Sequence, residues 1–250
     1  MLTIVTTTSP IKTNPSTDLI EKSIQSLYNV KAFIDCKKII VFDNVEEEDL
    51  SFYPNYNKTL SEIKQDYGEF KKNIENLVKN SPYFKDTKLL FLDSRKGQAW
   101  ALEEAFKLVD TKYVFLHQHD FVFLEDFDVN GIMKTMDENT SIKVVRACNG
   151  ENRPNYFDGP VDSKVNGVSY VPLVRSFRFS DNEHLTTVDY YKEHIFPLVT
   201  YKCFAEHFVM SPDFVQKRNE IEKNHDVWGI YIYGKMGQKT NLKHLDGRNF

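Results

Sequence analysis

Hydrophobic and polar residues alternate along the first half of the chain in a repeating rhythm. Leu2 to Thr7 is a short β-branched run closed by Thr8-Ser9-Pro10, the signature of a strand entering a turn. Pro15-Ser16-Thr17-Asp18 then places capping residues before Leu19, Ile20, Ile24 and Leu27, whose spacing predicts a helix. A second strand, Lys37 to Phe42, ends on Asp43-Asn44. Leu60, Ile63, Tyr67, Phe70, Ile74 and Leu77 follow helical period and predict a long amphipathic helix ending near Ser81-Pro82. The third strand, Lys88 to Asp93, passes through Ser94-Arg95-Lys96-Gly97 into a helix carrying Ala99, Leu102, Ala105, Phe106 and Val109. The fourth, Tyr113 to Leu116, runs straight into His117.

Four strands alternating with helices predict an α/β fold with parallel pairing and right-handed crossovers. Ligands of such sheets bind beyond the carboxyl ends of the strands. Four polar clusters fall there: Thr7-Thr8-Ser9, Asp43-Asn44, Arg95-Lys96 and His117-Gln118-His119-Asp120. After Asp120 the rhythm changes. A short helix is expected at Val129–Met136, a strand at Ile142–Val145, and an irregular substrate loop from Asn149 to Asn166, where Gly, Pro and Asn recur. Helical segments follow around Asp189–Phe196 and Asp213–Asn224, then a Gly-containing tail from Tyr231 to Phe250. With 250 residues, one domain is expected, its first half ending near residue 125.

Composition narrows the partners more than the fold. A net charge of −4, with no clustered Lys and Arg, argues against nucleic acid. Cys36, Cys148 and Cys203 are far apart and lack metal-type spacing, so buried thiols are expected. The first residues lack a basic flank and a long apolar run, and no stretch of eighteen apolar residues occurs, so a cytoplasmic protein without a transmembrane segment is expected.

The middle of the chain resembles a glycosyltransferase of the GT-A kind, close to family 2. The likeness is carried by Lys96-Gly97-Gln98-Ala99 with Ala101-Leu102 and Ala105, by Thr111 to Asp120, and by Leu124-Glu125-Asp126-Phe127. The order of elements matches from Leu2 to about Val145. This resemblance implies a mixed, mostly parallel GT-A sheet flanked by helices, with residues 1–125 binding a nucleoside diphosphate sugar and 126–250 receiving a carbohydrate or glycoconjugate acceptor. The family's Asp-x-Asp positions fall on His117 and His119, with Asp120 next. Paired acids at a strand end hold a divalent cation or the donor ribose, whereas imidazole suits Mn²⁺ better than Mg²⁺. The resemblance therefore assigns donor contacts to His117 and Asp120, and a metal set, if Mn²⁺ or Mg²⁺ is used, to His119, Asp120 and the late His244. Asp43 corresponds to the residue that reads the nucleobase, Thr7 and Ser9 to the lining of the base and ribose pocket. Arg95 and Lys96 precede a helix start suited to phosphate.

Inverting transfer needs a base for the acceptor hydroxyl. Glu206, an acid within Tyr201-Lys-Cys-Phe-Ala-Glu-His-Phe-Val-Met210, is the first choice because burial there would raise its pKa; Asp181 and Glu183 compete. Trp100, Tyr156, Phe157, Tyr170 and Trp228 are available for stacking on an acceptor sugar or for the core. Two other readings stand beside this one. A non-catalytic sugar- or nucleotide-binding module would need only the fold, and a metallohydrolase would use His117-x-His119, although the spacing to Asp120 is one residue short of the zinc motif. A nucleotidyltransferase would need a Gly-rich phosphate loop after the first strand, which Thr6 to Pro10 is not.

Overall fold

In the computed structural model, residues 1–46, 58–153, 160–210, 213–239 and 241–245 are described. Strands β1 (Leu2–Thr8), β2 (Lys37–Phe42), β3 (Thr87–Phe91) and β4 (Tyr113–Gln118) alternate with helices α1 (Asp18–Ser26), α2 (Leu60–Asn80) and α3 (Gly97–Phe106). All four strands are parallel, in the order β3-β2-β1-β4. Because side chains alternate across a strand, β1 sends Leu2 and Ile4 into the core under α1 and α2, and Val5 into the core under α3. Helix α2 starts where its sequence marks it. The Thr59 hydroxyl accepts the Glu62 N–H at 3.3 Å while Glu62 accepts the Thr59 N–H at 2.7 Å, a reciprocal cap.

Beyond residue 125 the same sheet continues. Strand β5 (Phe121–Phe123) and helix α4 (Val129–Glu138) precede β6 (Val144–Arg146), β7 (Pro160–Asp162), β8 (Leu173–Ser176) and β9 (His184–Thr187). Helix α5 (Val188–Tyr190) runs into a π-helical turn, Tyr191–Ile195, and is followed by α6 (Ala205–Met210), α7 (Phe214–Lys223) and α8 (His225–Trp228). Strands β10 (Ile230–Tyr233) and β11 (Leu242–His244) lie in the tail. The full order is β3-β2-β1-β4-β9-β6-β10-β8-β7, with β9 inserted antiparallel between β4 and β6. Strand β11 pairs antiparallel with β5 in a separate two-stranded sheet.

Several sequence expectations shift. The strand expected at Ile142–Val145 begins two residues later, since the Asn139 side chain caps the preceding turn by accepting from the Ser141 N–H and hydroxyl. The stretch expected to be irregular contains edge strand β7. Strands β8 to β11 escaped the sequence reading because they are only three or four residues long, too short to show a period of two. Of the cysteines only Cys148 is buried, Cys36 and Cys203 are half-buried, and none forms a disulfide. Among the described residues no helix is long and apolar enough to cross a membrane.

Candidate active site

The carboxyl ends of β1 and β4 lie side by side, with Thr7 opposite Gln118. At this edge β4 leaves the sheet through His117, Gln118, His119 and Asp120, and each side chain meets a different environment. The His117 ring is fully enclosed. Its Nδ1–H points at Glu183 Oε2 at 2.6 Å, and its Nε2 meets the Ser23 hydroxyl at 2.8 Å. The Gln118 N–H donates to the other oxygen of Glu183 at 2.7 Å. Both nitrogens of His117 are therefore engaged inside the protein. This corrects the assignment of a donor contact to His117, because a ring with no exposed face has nothing left to offer a ligand.

His119 donates from Nδ1 to the Thr7 carbonyl at 3.2 Å, which fixes the tautomer because a carbonyl can only accept. Burial pushes its pKa down, so the neutral ring keeps a lone pair on Nε2, an atom with no hydrogen-bond partner among the described residues. Asp120 is mostly covered, and its Oδ2 lies 3.1 Å from His244 Nε2. The pairing of β5 with β11 makes that contact, since His244 stands opposite Phe121 and stacks on its ring at 4.5 Å. Two residues 124 positions apart thus meet at the strand edge. Among the described residues, however, no group of three His, Cys, Asp or Glu side chains is placed to hold a metal ion, so His119, Asp120 and His244 do not form a ready-made cation cage.

A second acidic pair faces the same edge. Asp181 Oδ2 accepts the Glu206 N–H at 3.0 Å, Glu206 Oε2 accepts the Asp181 N–H at 3.2 Å, and Gln118 Nε2 ties the Asp181 carbonyl to β4 at 2.8 Å. The sequence expectation of a buried Glu206 is corrected. Its carboxylate is partly exposed and bonded by the Arg178 guanidinium through Nε and Nη2. Asp181 is half-buried with its Oδ1 withdrawn from solvent, and desolvation, reinforced by the charge of Glu206, raises its pKa to about 7 against hydrogen bonding from the Glu206 N–H. Its Oδ1 has no hydrogen-bond partner among the described residues, and Asp181 lines a cavity of about 10 Å³ together with Thr7, Gln98 and Gln118. Such a space holds one water. Gln98 Oε1 likewise has no hydrogen-bond partner among the described residues.

On the other side of β1 the helix start is already occupied. Asp43 accepts the N–H groups of Lys96 at 2.7 Å and Gly97 at 2.9 Å, and Glu46 accepts that of Arg95 at 3.2 Å. Asp43 and Glu46 are therefore the anions at the start of α3, in the place foreseen for phosphate, and Asp43 caps a helix rather than offering a free carboxylate. Gly97 is indispensable there: its φ is +73°, and a Cβ would sit 2.8 Å from the backbone of Lys202 and Cys203. That approach lets the Ala99 N–H reach the Cys203 carbonyl at 3.1 Å, docking α3 on the segment that leads to Glu206. Ser9 is half-buried at the end of β1. Of the foreseen stacking residues, Trp100 and Trp228 pack against the core, and Tyr170 is exposed with the Lys134 ammonium 3.8 Å over its ring. Tyr156 and Phe157 lie outside the described residues.

Sequence reasoning missed Ser23 and Arg178 and assigned Glu183 a different part. Ser23 does carry a signal, a small polar residue on the helix face that bears Leu19, Ile20 and Ile24, but its partner is 94 residues away.

No family model matches the chain, and no curated protein matches it by sequence. Solved structures do match. TarS from S. aureus superposes with a TM-score of 0.52 at 14% identity, over 94% of this chain and 35% of that one. TarS residues 1–349 give 0.51 at 13% identity over 94% and 59%, and the same fragment in complex with UDP-GlcNAc gives 0.52 at 12% identity over 94% and 57%. The chain thus spans between about one third and three fifths of these structures. The likeness establishes the fold: a GT-A-like α/β architecture, with a large, mostly parallel mixed sheet flanked by helices.

Proposed function

We propose that this chain transfers a sugar from a nucleoside diphosphate donor to a hydroxyl of a carbohydrate or glycoconjugate acceptor, with inversion. The observation that carries this reading is the meeting of Asp120 and His244 at the carboxyl edge of the parallel strands, in a fold that in TarS accompanies UDP-GlcNAc. Asp120 accepts a hydrogen bond from a donor hydroxyl, and His244 holds Asp120 in place through its Nε2–H. Thr7 and Ser9 line the nucleoside side at the end of β1. Arg95 and Lys96 contribute positive side chains nearby, while their backbone N–H groups stay with Glu46 and Asp43. With no three-ligand cage among the described side chains, no step is assigned to a divalent cation.

Asp181 takes the proton of the acceptor hydroxyl, directly or through the water that its cavity can hold. A general base works best when its pKa is near the operating pH, and burial brings Asp181 to about 7. Glu206, fixed by Arg178, orients Asp181 through the reciprocal backbone bonds. As the carbon–oxygen bond to the diphosphate breaks, the acceptor oxygen attacks from the opposite face.

A thermal-shift panel of UDP-, GDP- and dTDP-sugars, with and without Mn²⁺ or Mg²⁺, tests the reading. A donor at a hundredfold excess over Kd adds about 2.7 kcal/mol of stability, roughly 5–10 °C in Tm for a chain of this size. A shift with one nucleotide class, followed by release of that nucleotide in the presence of acceptor, is the expected result. No shift with any donor overturns the proposal. A shift without turnover under any acceptor leaves a non-catalytic binding module.

A further inference from the structure

The Ser23–His117–Glu183 chain is a sealed polar network in contact with the site, and the proposed chemistry does not use it. Ser23 and Glu183 have no exposed surface, and the His117 side chain has none either. Burying an acid, an imidazole and a hydroxyl together is costly unless each is bonded, and here each is. The arrangement has the connectivity of a hydrolytic triad but cannot act as one, because no reacting carbonyl can reach a hydroxyl sealed on the inner face of α1.

What the network touches shows what it does. One oxygen of Glu183 bonds the His117 side chain, and the other bonds the Gln118 N–H, so a single carboxylate grips two successive residues at the end of β4. The next residues are His119 and Asp120. Glu183 itself lies two residues after Asp181, and Gln118 Nε2 holds the Asp181 carbonyl from the same strand end. Ser23 secures the far side of the ring from α1 and lies 3.4 Å from the Gln118 carbonyl. Three bonds therefore tie the segment carrying Asp120 to the segment carrying Asp181.

We propose that Ser23, His117 and Glu183 are positioning residues that set the separation between the donor-side acid, Asp120, and the acceptor-side acid, Asp181. This rests on the glycosyl-transfer reading, and it adds residues that contact neither substrate. Alignment of donor and acceptor is where small displacements are expensive: an error on the order of 1 Å can cost 10²-fold in rate. Binding of the nucleotide alone does not require that alignment. Loss of the network should thus lower kcat while leaving the donor KM in place.

The test uses Glu183→Gln, which keeps the shape and one acceptor oxygen, and Ser23→Ala, a milder change should the first variant fail to fold. Both are measured for kcat, donor KM and hydrogen exchange at the Gln118 amide. The expected result for Glu183→Gln is a fall in kcat on the order of 10²-fold, an unchanged donor KM, and faster exchange at Gln118. Ser23→Ala should show the same pattern at smaller size. A lower Tm with unchanged kcat in both variants would make the network a packing element only, and a parallel change of KM would place it in donor binding; either overturns the proposal. The exchange measurement needs no substrate, so slow exchange at Gln118 in both variants overturns the proposal even if the wild-type protein transfers no sugar. Failure of the wild type to bind any nucleotide sugar instead removes the functional reading on which the kinetic arm depends.

Discussion

Two histidine–carboxylate pairs stand within a few residues of each other at the end of β4, and burial sets them apart. His117 and Glu183 are sealed, with 0% of either side chain exposed, and every ring nitrogen and carboxylate oxygen is bonded within the protein. Asp120 and His244 are 15% and 40% exposed, joined by one 3.1 Å contact, with the ring lying on Phe121. The same two chemical groups serve opposite ends. A pair without solvent access can only hold the chain, whereas a pair at the rim can meet a ligand and is cheap to disturb. Local sequence does not separate them, since His117 and His119 flank one Gln and Asp120 follows directly.

The comparison is tested most severely by breaking the buried pair. Glu183→Ala strands His117 in a dry site and should cost about 3–5 kcal/mol, read as a Tm lowered by roughly 10 °C and confirmed by denaturant unfolding. A loss under about 1 kcal/mol, the level of an exposed pair, would erase the distinction. Asp120→Ala should do the reverse. Turnover should fall on the order of 10²-fold, as when a group that sets the electrostatics of bond breaking is removed, while the melting temperature hardly moves. An Asp120→Ala protein with full turnover would take the rim pair out of the chemistry.

Asp181 makes stability depend on pH. Burial raises its pKa from 3.8 to about 7, so the folded protein keeps a proton that the unfolded chain has already released. Its contribution to stability is fully present below pH 3.8 and is lost as the pH rises through about 7. Stability curves of the wild type and Asp181→Asn should therefore diverge between those limits, the variant lacking this part of the decline. Parallel curves would show that the Asp181 carboxyl is not desolvated as described. The smallest effect is expected at His244. His244→Gln should change stability by no more than about 0.5 kcal/mol, yet weaken nucleotide-sugar binding by about tenfold, the low end for loss of a hydrogen bond to a charged group, measurable by titration calorimetry. Unaltered affinity would leave Asp120 to act without its partner.

Much of the first half was legible because its elements are long and regular. Lys37–Phe42 is a strand as foreseen, and the Leu60-to-Leu77 pattern becomes a helix of 21 residues closed by its own capping box. The polar clusters at the strand ends were legible for the same reason, since parallel strands place their carboxyl ends together. Roles within those clusters were less legible. Asp43 is a strand-end acid by sequence and a helix cap by structure, because α3 begins against it. Glu206 sits among apolar neighbours in sequence, but Arg178 arrives from 28 residues away and the desolvated acid is Asp181.

The sequence by itself determined the alternation of strands and helices to Gln118, the side of the sheet on which ligand-capable groups collect, and the presence of a single acid in the His117-to-Asp120 segment. These follow from side-chain period and turn chemistry, which act over a few residues. Only the tertiary structure decided which of those groups is sealed and which is open, since that depends on Ser23, Glu183 and His244, contributed from 94, 66 and 124 residues away. Desolvation is a property of everything packed around a group, and no local pattern encodes it. The inserted antiparallel strand β9, which carries His184 beside Leu116 and brings Glu183 against His117, is where that decision was made.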